Sequence, residues 1–298
     1  MSAATLILLA LKASIFLNVF SLGLAASWRD VISLFRSPGR LARSVSSMYV
    51  VMPLFAAALA SAFDPHPAVK IALIALAVAP IPPLLPKKEM KAGGESSYVI
   101  GLLVAVALLS IVFTPLAVEL LGKVFGAPAR MPPSAIARLV LMTVIAPLAA
   151  GMFVRRVAPV FAERGPSLIR LAATALLVVS VLPVLFIAWP AIESLIGDGT
   201  LAAIAAFVLV GLTAGHLLGG PAPEDRAVLA LSTASRHPGV AMAIASANFP
   251  EQKLVPAAIL LYLIVSAIVS IPYLAWRKRH QVGTSGGVPI HRNLSNSR

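Results

Sequence analysis

Residues 224–252 have the sequence EDRAVLALSTASRHPGVAMAIASANFPEQ, which is typical of one membrane-crossing helix broken at its centre. Apolar runs flank the polar stretch 232–239, which contains Arg236. Proline lacks an N–H and disfavours helix at the residue before it, so we predict that the helix ends near His237 and that a second half-helix begins at Pro238. Charged groups at that depth are costly unless they face protein or a water-filled cavity. A broken, charged helix in mid-membrane is where transporters commonly bind their substrates.

The composition of the whole chain indicates a membrane protein. Its 298 residues are 59% hydrophobic and 12% charged, with a mean hydropathy of +0.94, whereas soluble domains contain about 25% charged residues. Apolar runs of about 20 residues recur along the chain and are continuous rather than alternating, which favours helices over a barrel. We therefore predict an all-α membrane protein whose partner is the lipid bilayer.

Several functional classes are disfavoured by the sequence. The net charge is +13, but the basic residues lie between the apolar runs, where they determine topology, so nucleic acid is not predicted as a partner. The chain has no cysteine and hence no disulfide or thiolate metal site. It contains no P-loop, Gly-x-Ser-x-Gly or His-Glu-x-x-His motif and no carboxylate cluster, so we predict neither an enzyme nor a bound metal. Nothing in the sequence sets an oligomeric state.

The apolar runs predict about nine transmembrane helices. They cover approximately residues 3–26, 45–63, 69–86, 98–122, 134–153, 168–189, 201–219, 225–248 and 254–276. If the N-terminus is outside, the outer segments hold few basic residues, namely Lys70, Lys123, Arg130, Arg138 and Lys253. Most of the 24 Lys and Arg residues then face inward. This bias predicts a multi-pass protein of the cytoplasmic (inner) membrane with its N-terminus outside, its C-terminus in the cytoplasm, and a basic, disordered tail over 277–298.

A faint internal repeat relates the two halves of the chain. The sequence IVFTPLA resembles IVSIPYLA, and their prolines, Pro115 and Pro272, lie 157 residues apart. The same offset aligns Pro238 with the segment PIPPLLP at 80–86. In this alignment the fifth span is an unpaired linker between two units of four spans, and this extra span inverts the second unit relative to the first. We therefore predict two inverted repeats whose two broken helices cross each other, with a binding site where they cross.

The residues predicted to break the two helices are Pro80, Pro82, Pro83, Pro86, Pro238 and Gly239. After the first break, the second half-helix is predicted to begin near Pro82 or Pro83. The N-termini of both half-helices direct free N–H groups and a positive dipole end toward the breaks, which favours an anion.

Arg236 is the first candidate for binding a substrate. It lies about 12 residues from Glu224, or about 17 Å along a helix, which is near the middle of a hydrocarbon core about 30 Å thick. We predict that it lines a cavity and contacts the substrate. The neighbouring His237 is either a structural residue or, because an imidazole titrates near neutral pH, a proton-coupling group.

The other candidates for substrate binding are Ser232, Thr233, Ser235, Lys88, Glu89 and Lys12. The three hydroxyls either contact a solute or bond back to helix carbonyls. Lys88 and Glu89 belong either to an ordinary cytoplasmic loop or to a short amphipathic half-helix that faces the cavity. Lys12 lies near the centre of the first span and needs a partner or water there.

Two parts of the sequence carry a family resemblance. The motifs AGHLLG at 214–219 and SRHPGVAMAIA at 235–245 resemble the bile acid:sodium symporter family. So does the early segment 28–53, in which SPGR at 37–40 leads into VVMPL at 50–54. The resemblance implies transport by a single transmembrane domain over residues 1–276.

The same resemblance implies how that domain is divided. Members of the family have a core domain with two crossed broken helices and a separate panel domain. In this chain the core corresponds to about 45–122 and 199–276, and the panel corresponds to about 3–26 and 134–189. Members with nine spans lack the first helix of the ten-span form, and this chain resembles the shorter type.

The sodium ligands of the family are absent from the matching positions. The family has Glu-x-Gly-x-Gln-Asn at the second break and Gly-Gly-Thr-Ala-Ser-Asn at the first. The matching positions at the second break are Ser232, Ala234, Arg236 and His237. At the first break, residues 81–86 are IPPLLP. Hard cations prefer oxygen ligands, so we predict no cofactor: the resemblance makes Na⁺ a candidate that the side chains do not support. Proton coupling through Glu89 or His237 stays open.

The sequence thus predicts a secondary transporter that carries a small organic anion by alternating access. Two other classes stay open, namely a non-transporting membrane sensor or assembly subunit on the same fold, and a passive channel.

Overall fold

A computed structural model describes residues 2–63 and 65–285, and all regular structure within them is helical. The α-helices are α1 (Ala3–Ala25), α2 (Trp28–Ile32), α3 (Pro38–Val45), α4 (Met52–Ala62), α5 (Pro67–Ala77), α6 (Pro86–Lys91), α7 (Ser96–Val124), α8 (Pro133–Val140), α9 (Ala146–Val157), α10 (Pro159–Glu193), α11 (Thr200–Leu218), α12 (Pro223–Ala234), α13 (Pro238–Asn248) and α14 (Val255–Ser285). Two π-helical turns, Ser46–Val51 and Leu141–Ile145, join α3 to α4 and α8 to α9. The predicted all-α class is confirmed.

Seven helical stretches of the described residues are long and apolar enough to cross a membrane. They are Thr5–Ala25, Pro38–Ala62, Ser96–Val124, Pro133–Val157, Gly165–Glu193, Thr200–Leu218 and Val255–Arg279. Two further stretches are each divided into two short helices, α5 with α6 and α12 with α13.

The first interruption lies in the proline-rich segment. α5 ends at Ala77 and α6 begins at Pro86, so the predicted start of the half-helix near Pro82 or Pro83 is wrong. Proline disfavours helix at the residue before it, and the residues before Pro80, Pro82 and Pro83 are not helical. Leu85 keeps helical dihedrals before Pro86, so α6 can begin there. A turn in which the Leu85 N–H donates to the Pro82 carbonyl at 3.0 Å fills the gap before α6.

The second interruption is shorter. α12 ends at Ala234, residues 235–237 are not helical, and α13 begins at Pro238 with His237 as its N-cap. Ser235 and His237 both have extended backbone dihedrals. Pro238 accounts for this geometry, because it excludes helix at His237 and tolerates the first position of a new helix.

Each π-helical turn precedes a helix whose second residue is proline, Pro53 in α4 and Pro147 in α9. Proline has no N–H, so it cannot donate a hydrogen bond to a carbonyl of the preceding turn. In a π turn the carbonyl of residue i accepts from the N–H of residue i+5 rather than i+4, and such turns often occur at functional sites. Carbonyl oxygens of these turns therefore become available to donors elsewhere in the protein.

One group of helices is formed by α1, α9 and α10, with α1 packed along both of the others. Gly23 of α1 and Gly151 of α9 allow the close approach, because a Cβ on Gly151 would lie 2.9 Å from the Cα of Gly23 and would also meet the Phe20 carbonyl. Small residues serve the same purpose in other membrane helix pairs.

A second group surrounds the two interruptions. α11 packs against α12, and α5 packs against both α13 and α14. A Cβ on Gly211 would lie 2.7 Å from the Cα of Ala234, so α11 lies directly against the end of α12. The rings of Phe207 and Tyr262, both buried, meet edge to face within this group. The second interruption is thus fixed by close backbone packing.

α14 continues to Ser285. Residues 277–285, which the sequence analysis assigns to a disordered tail, form the last turns of this helix in the structure. The rest of the predicted tail, 286–298, lies outside the described residues.

Candidate functional site

Three consecutive carbonyl oxygens of the first interruption accept hydrogen bonds from other elements. The Val78 carbonyl accepts from Thr114 Oγ1 at 2.8 Å, the Ala79 carbonyl from Arg236 Nη1 at 3.2 Å, and the Pro80 carbonyl from the His237 backbone N–H at 2.8 Å. These carbonyls follow the end of α5 and have no helical donor. The two interruptions therefore face each other and are bonded backbone to backbone at Pro80 and His237.

Arg236 is completely buried at this crossing. Besides its bond to Ala79, its Nη2 donates to the Met48 carbonyl at 3.0 Å. Met48 belongs to the first π turn, where the i+5 donor would be Pro53, which has no N–H. Among the described residues Arg236 forms no ion pair, and its Nε has no hydrogen-bond partner. The guanidinium is thus held by carbonyl dipoles and is closed to solvent in this conformation, so the predicted direct contact with a substrate is not part of this geometry.

His237 caps the helix that follows it. Its Nδ1 accepts a hydrogen bond from the Gly239 N–H at 3.1 Å, so the proton of the neutral ring is on Nε2. That Nε2 is buried and has no partner among the described residues. On the other side of the interruption, the Tyr262 hydroxyl donates to the Ala234 carbonyl at 2.7 Å.

Two hydroxyls of α12 bond to other helices rather than to the carbonyls of α12. Ser232 donates to Glu89 Oε1, and Thr233 Oγ1 lies 2.8 Å from Ser47 Oγ. Glu89 is only 1% exposed and belongs to α6, so this pair joins the second half of the first broken helix to the first half of the second. A buried polar side chain without a hydrogen-bond partner is costly, and these bonds provide a partner for each of the four side chains.

The remaining candidates lie at the edge of this cluster or away from it. Ser235 is half-buried at the end of α12, and Lys88 is half-buried on α6. Lys12 is exposed and lines a different cavity, between α1 and α8, together with Arg138. The structure therefore brings Arg236, His237, Ser232, Thr233, Glu89 and Pro80 together and leaves Lys12 apart from them.

A second feature is a cavity of about 390 Å³ beside the first interruption. It lies between α1 and α10 on one side and the start of α6 on the other. Its polar and charged lining residues are Asn18, Ser21, Lys87, Lys91, Ser96 and Arg170. Among the described residues no carboxylate lines it, and the Lys87 ammonium group donates to Thr174 Oγ1 of α10 at 3.1 Å. Three cations in this lining make the cavity attractive to an anion.

Sequence reasoning missed several groups that hold the crossing. Thr114 was visible as an isolated hydroxyl within an apolar run, and Tyr262 as an isolated polar aromatic residue. Ser47 was visible as one of three serines at 44–47, where an apolar run begins. Met48 had no detectable pattern, because only its backbone carbonyl takes part. Lys87, Lys91 and Arg170 entered the sequence argument as topology charges, and their position along one cavity depends on how α1, α6 and α10 pack.

Comparison with known proteins supplies one match. A family model described as the Sodium Bile acid symporter family matches residues 13–192. The matched residues contain the first interruption and the residues that line the cavity beside it, and the second interruption follows them in the chain. No curated protein matches the chain.

Proposed function

Because the chain belongs to the sodium bile acid symporter family, we propose that it is a secondary transporter that carries a small organic anion by alternating access. Its long apolar helices make it a multi-pass membrane protein. In this proposal it lies in the cytoplasmic membrane with its N-terminus outside, as the distribution of basic residues favours.

The observation that carries the choice of an anion is the cavity beside the first interruption. Its volume of about 390 Å³ is within the range of small-molecule sites, about 300–1,000 Å³. Lys87, Lys91 and Arg170 supply positive charge, while Asn18 and Ser21 supply neutral polar groups. A carboxylate or sulfonate group can accept hydrogen bonds from all of these side chains. The apolar remainder of the lining, which includes Leu84 and Met90, suits a hydrocarbon body.

The contacts at the crossing support the inverted repeat that the proposal includes. Arg236 bonds to Ala79 and His237 bonds to Pro80, and in both pairs the residues are 157 positions apart, which is the offset of the sequence repeat. If the two repeats are related by a two-fold axis, equivalent residues of the two repeats contact each other only close to that axis. In the proposal each interrupted helix pair counts as one span, which gives nine spans in two inverted units.

The arrangement of the helices supports a rocking mechanism. The group formed by α1, α9 and α10 corresponds to the panel, and the group around the interruptions corresponds to the core. The basic cavity lies between them, since α1 and α10 line one side and α6 the other. In our proposal, rocking of one group against the other exposes this cavity first to one side of the membrane and then to the other.

Flux measurements on the purified protein in proteoliposomes test the proposal. With the membrane potential held fixed, we expect saturable uptake of one or more labelled organic acids from a panel. Lys91→Gln and Arg170→Gln should each raise KM by a factor of about 1.4–5, because both side chains are exposed and an exposed charged contact contributes about 0.2–1 kcal/mol.

Arg156→Gln is the matched control, because it removes the same charge from an exposed position outside the cavity. Binding without flux would contradict transport and indicate a sensor or assembly subunit, and flux without saturation would indicate a channel. Equal KM values for all three variants would remove the cavity from the substrate path.

A further inference from the structure

We propose that the guanidinium of Arg236 is a built-in cation at the helix crossing, that it takes the place of the sodium ion implied by the family, and that transport by this protein is independent of sodium. The first part concerns cation binding and stands on the crossing alone. The second part rests on the proposed function.

The oxygen atoms at the crossing do not fit a sodium site. Sodium, like other hard cations, is bound by several oxygen atoms. Here the carbonyls of Val78, Ala79, Pro80 and Ala234 already accept hydrogen bonds from groups of the chain itself. The side chains of residues 80–86 contain no oxygen. These carbonyls are therefore oriented toward N–H and O–H donors of the chain itself.

Two pairs of nearby side-chain oxygens are also engaged with each other. The Ser232 hydroxyl donates to Glu89, and the hydroxyls of Thr233 and Ser47 are bonded to each other. Both pairs join separate helices and hold the crossing together.

Arg236 supplies what a bound cation would supply. It places a permanent positive charge among carbonyl dipoles, and it ties the first interruption to the π turn through Ala79 and Met48. A guanidinium remains protonated in proteins, so this charge is present without any ion gradient. Its complete burial and its lack of an ion pair among the described residues leave the charge uncompensated by a carboxylate. A second cation at this position would therefore be repelled.

The direct test compares sodium with potassium on the wild-type protein. Unfolding temperature is measured in NaCl and in KCl at equal ionic strength, and binding of radioactive sodium is measured on the same purified protein. We expect equal unfolding temperatures and no saturable sodium binding. A ligand that binds only the folded state raises its stability with concentration, so a sodium-specific rise, or saturable sodium binding, would overturn the proposal. This comparison requires no variant to fold.

Variants then test whether the guanidinium holds the crossing. Arg236→Gln should lower the unfolding temperature, Arg236→Lys should lower it less because the charge is kept, and the exposed control Arg156→Gln should leave it unchanged. An Arg236→Gln protein as stable as the wild type would overturn the proposal.

The transport half is tested by replacing sodium with potassium or choline during uptake at fixed membrane potential. We expect the same initial rate in all three salts, and a rate that falls severalfold without sodium would overturn that half. Absence of uptake in every salt would instead refute the proposed function, while the sodium-binding and stability results would still decide the first half.

Discussion

At the scale of single residues, the crossing is organised by backbone acceptors that have lost their helical donors. Thr114, Arg236, His237 and Tyr262 each supply a donor to one of these carbonyls. A buried acceptor without a partner costs about 1–3 kcal/mol. The positive charge of Arg236 disfavours binding of another cation nearby. Two like unit charges about 4 Å apart repel each other by about 4 kcal/mol at an effective dielectric constant of about 20. The same residues thus stabilise the broken helices, and in our proposal the guanidinium also excludes a second cation.

The Ser232–Glu89 pair gives a prediction at this scale. In a double-mutant cycle of Ser232→Ala and Glu89→Ala, we expect a coupling energy of about 0.5–3 kcal/mol in unfolding, because the pair is in contact and buried. The matched control is the exposed pair Ser97 and Glu95, whose hydroxyl and carboxylate are 2.6 Å apart, in the cycle of Ser97→Ala and Glu95→Ala.

Because water competes for the exposed pair, its coupling should be near zero. Thermal unfolding of the purified proteins measures both cycles. Coupling near zero in the Ser232–Glu89 cycle would show that the bond between α6 and α12 contributes nothing to the fold.

At the scale of helices, the breaks depend on prolines and the close packing depends on glycines. Pro238 is an isolated proline after a polar stretch, so the start of α13 followed from local chemistry alone. The start of α6 at Pro86 did not, because Pro80, Pro82, Pro83 and Pro86 each permit a new helix and only packing selects among them. Local rules therefore located the second break to the residue and the first only to a segment.

Gly215 of α11 provides the prediction at this scale. A Cβ added there would lie 2.5 Å from the Cα of Ala230 and would also meet the Leu229 carbonyl. Gly215→Ala should therefore destabilise the protein by about 1–3 kcal/mol through overpacking of α11 on α12. Thermal unfolding of the purified variant measures the effect.

Gly39 is the matched control, since a Cβ added there meets nothing within 4 Å. Gly39→Ala should leave stability unchanged or raise it by about 0.4–1 kcal/mol through the unfolded state. If Gly215→Ala were as harmless as Gly39→Ala, the close contact of α11 with α12 would not exist in the folded protein.

At the scale of the whole molecule, the composition of the sequence was sufficient to predict the fold class but not to predict the candidate site. Continuous apolar runs predicted an all-helical membrane protein, because hydrophobic length is read directly from the sequence. The environment of Arg236 could not be predicted, because its partners are backbone carbonyls that every residue possesses. The basic cavity was equally hidden, because Lys87, Lys91 and Arg170 come from distant parts of the chain and meet only when α6 packs beside α1 and α10.

Counterflow in proteoliposomes tests the central claim most directly. Vesicles that contain the purified protein are loaded with an unlabelled organic acid and diluted into a trace of the same acid in labelled form, with sodium absent on both sides. An alternating-access carrier exchanges the two pools, so we predict transient accumulation of label above its external concentration. Accumulation should be absent from protein-free vesicles. Simple equilibration of label without overshoot, or no entry at all, for every acid in the panel would contradict the account.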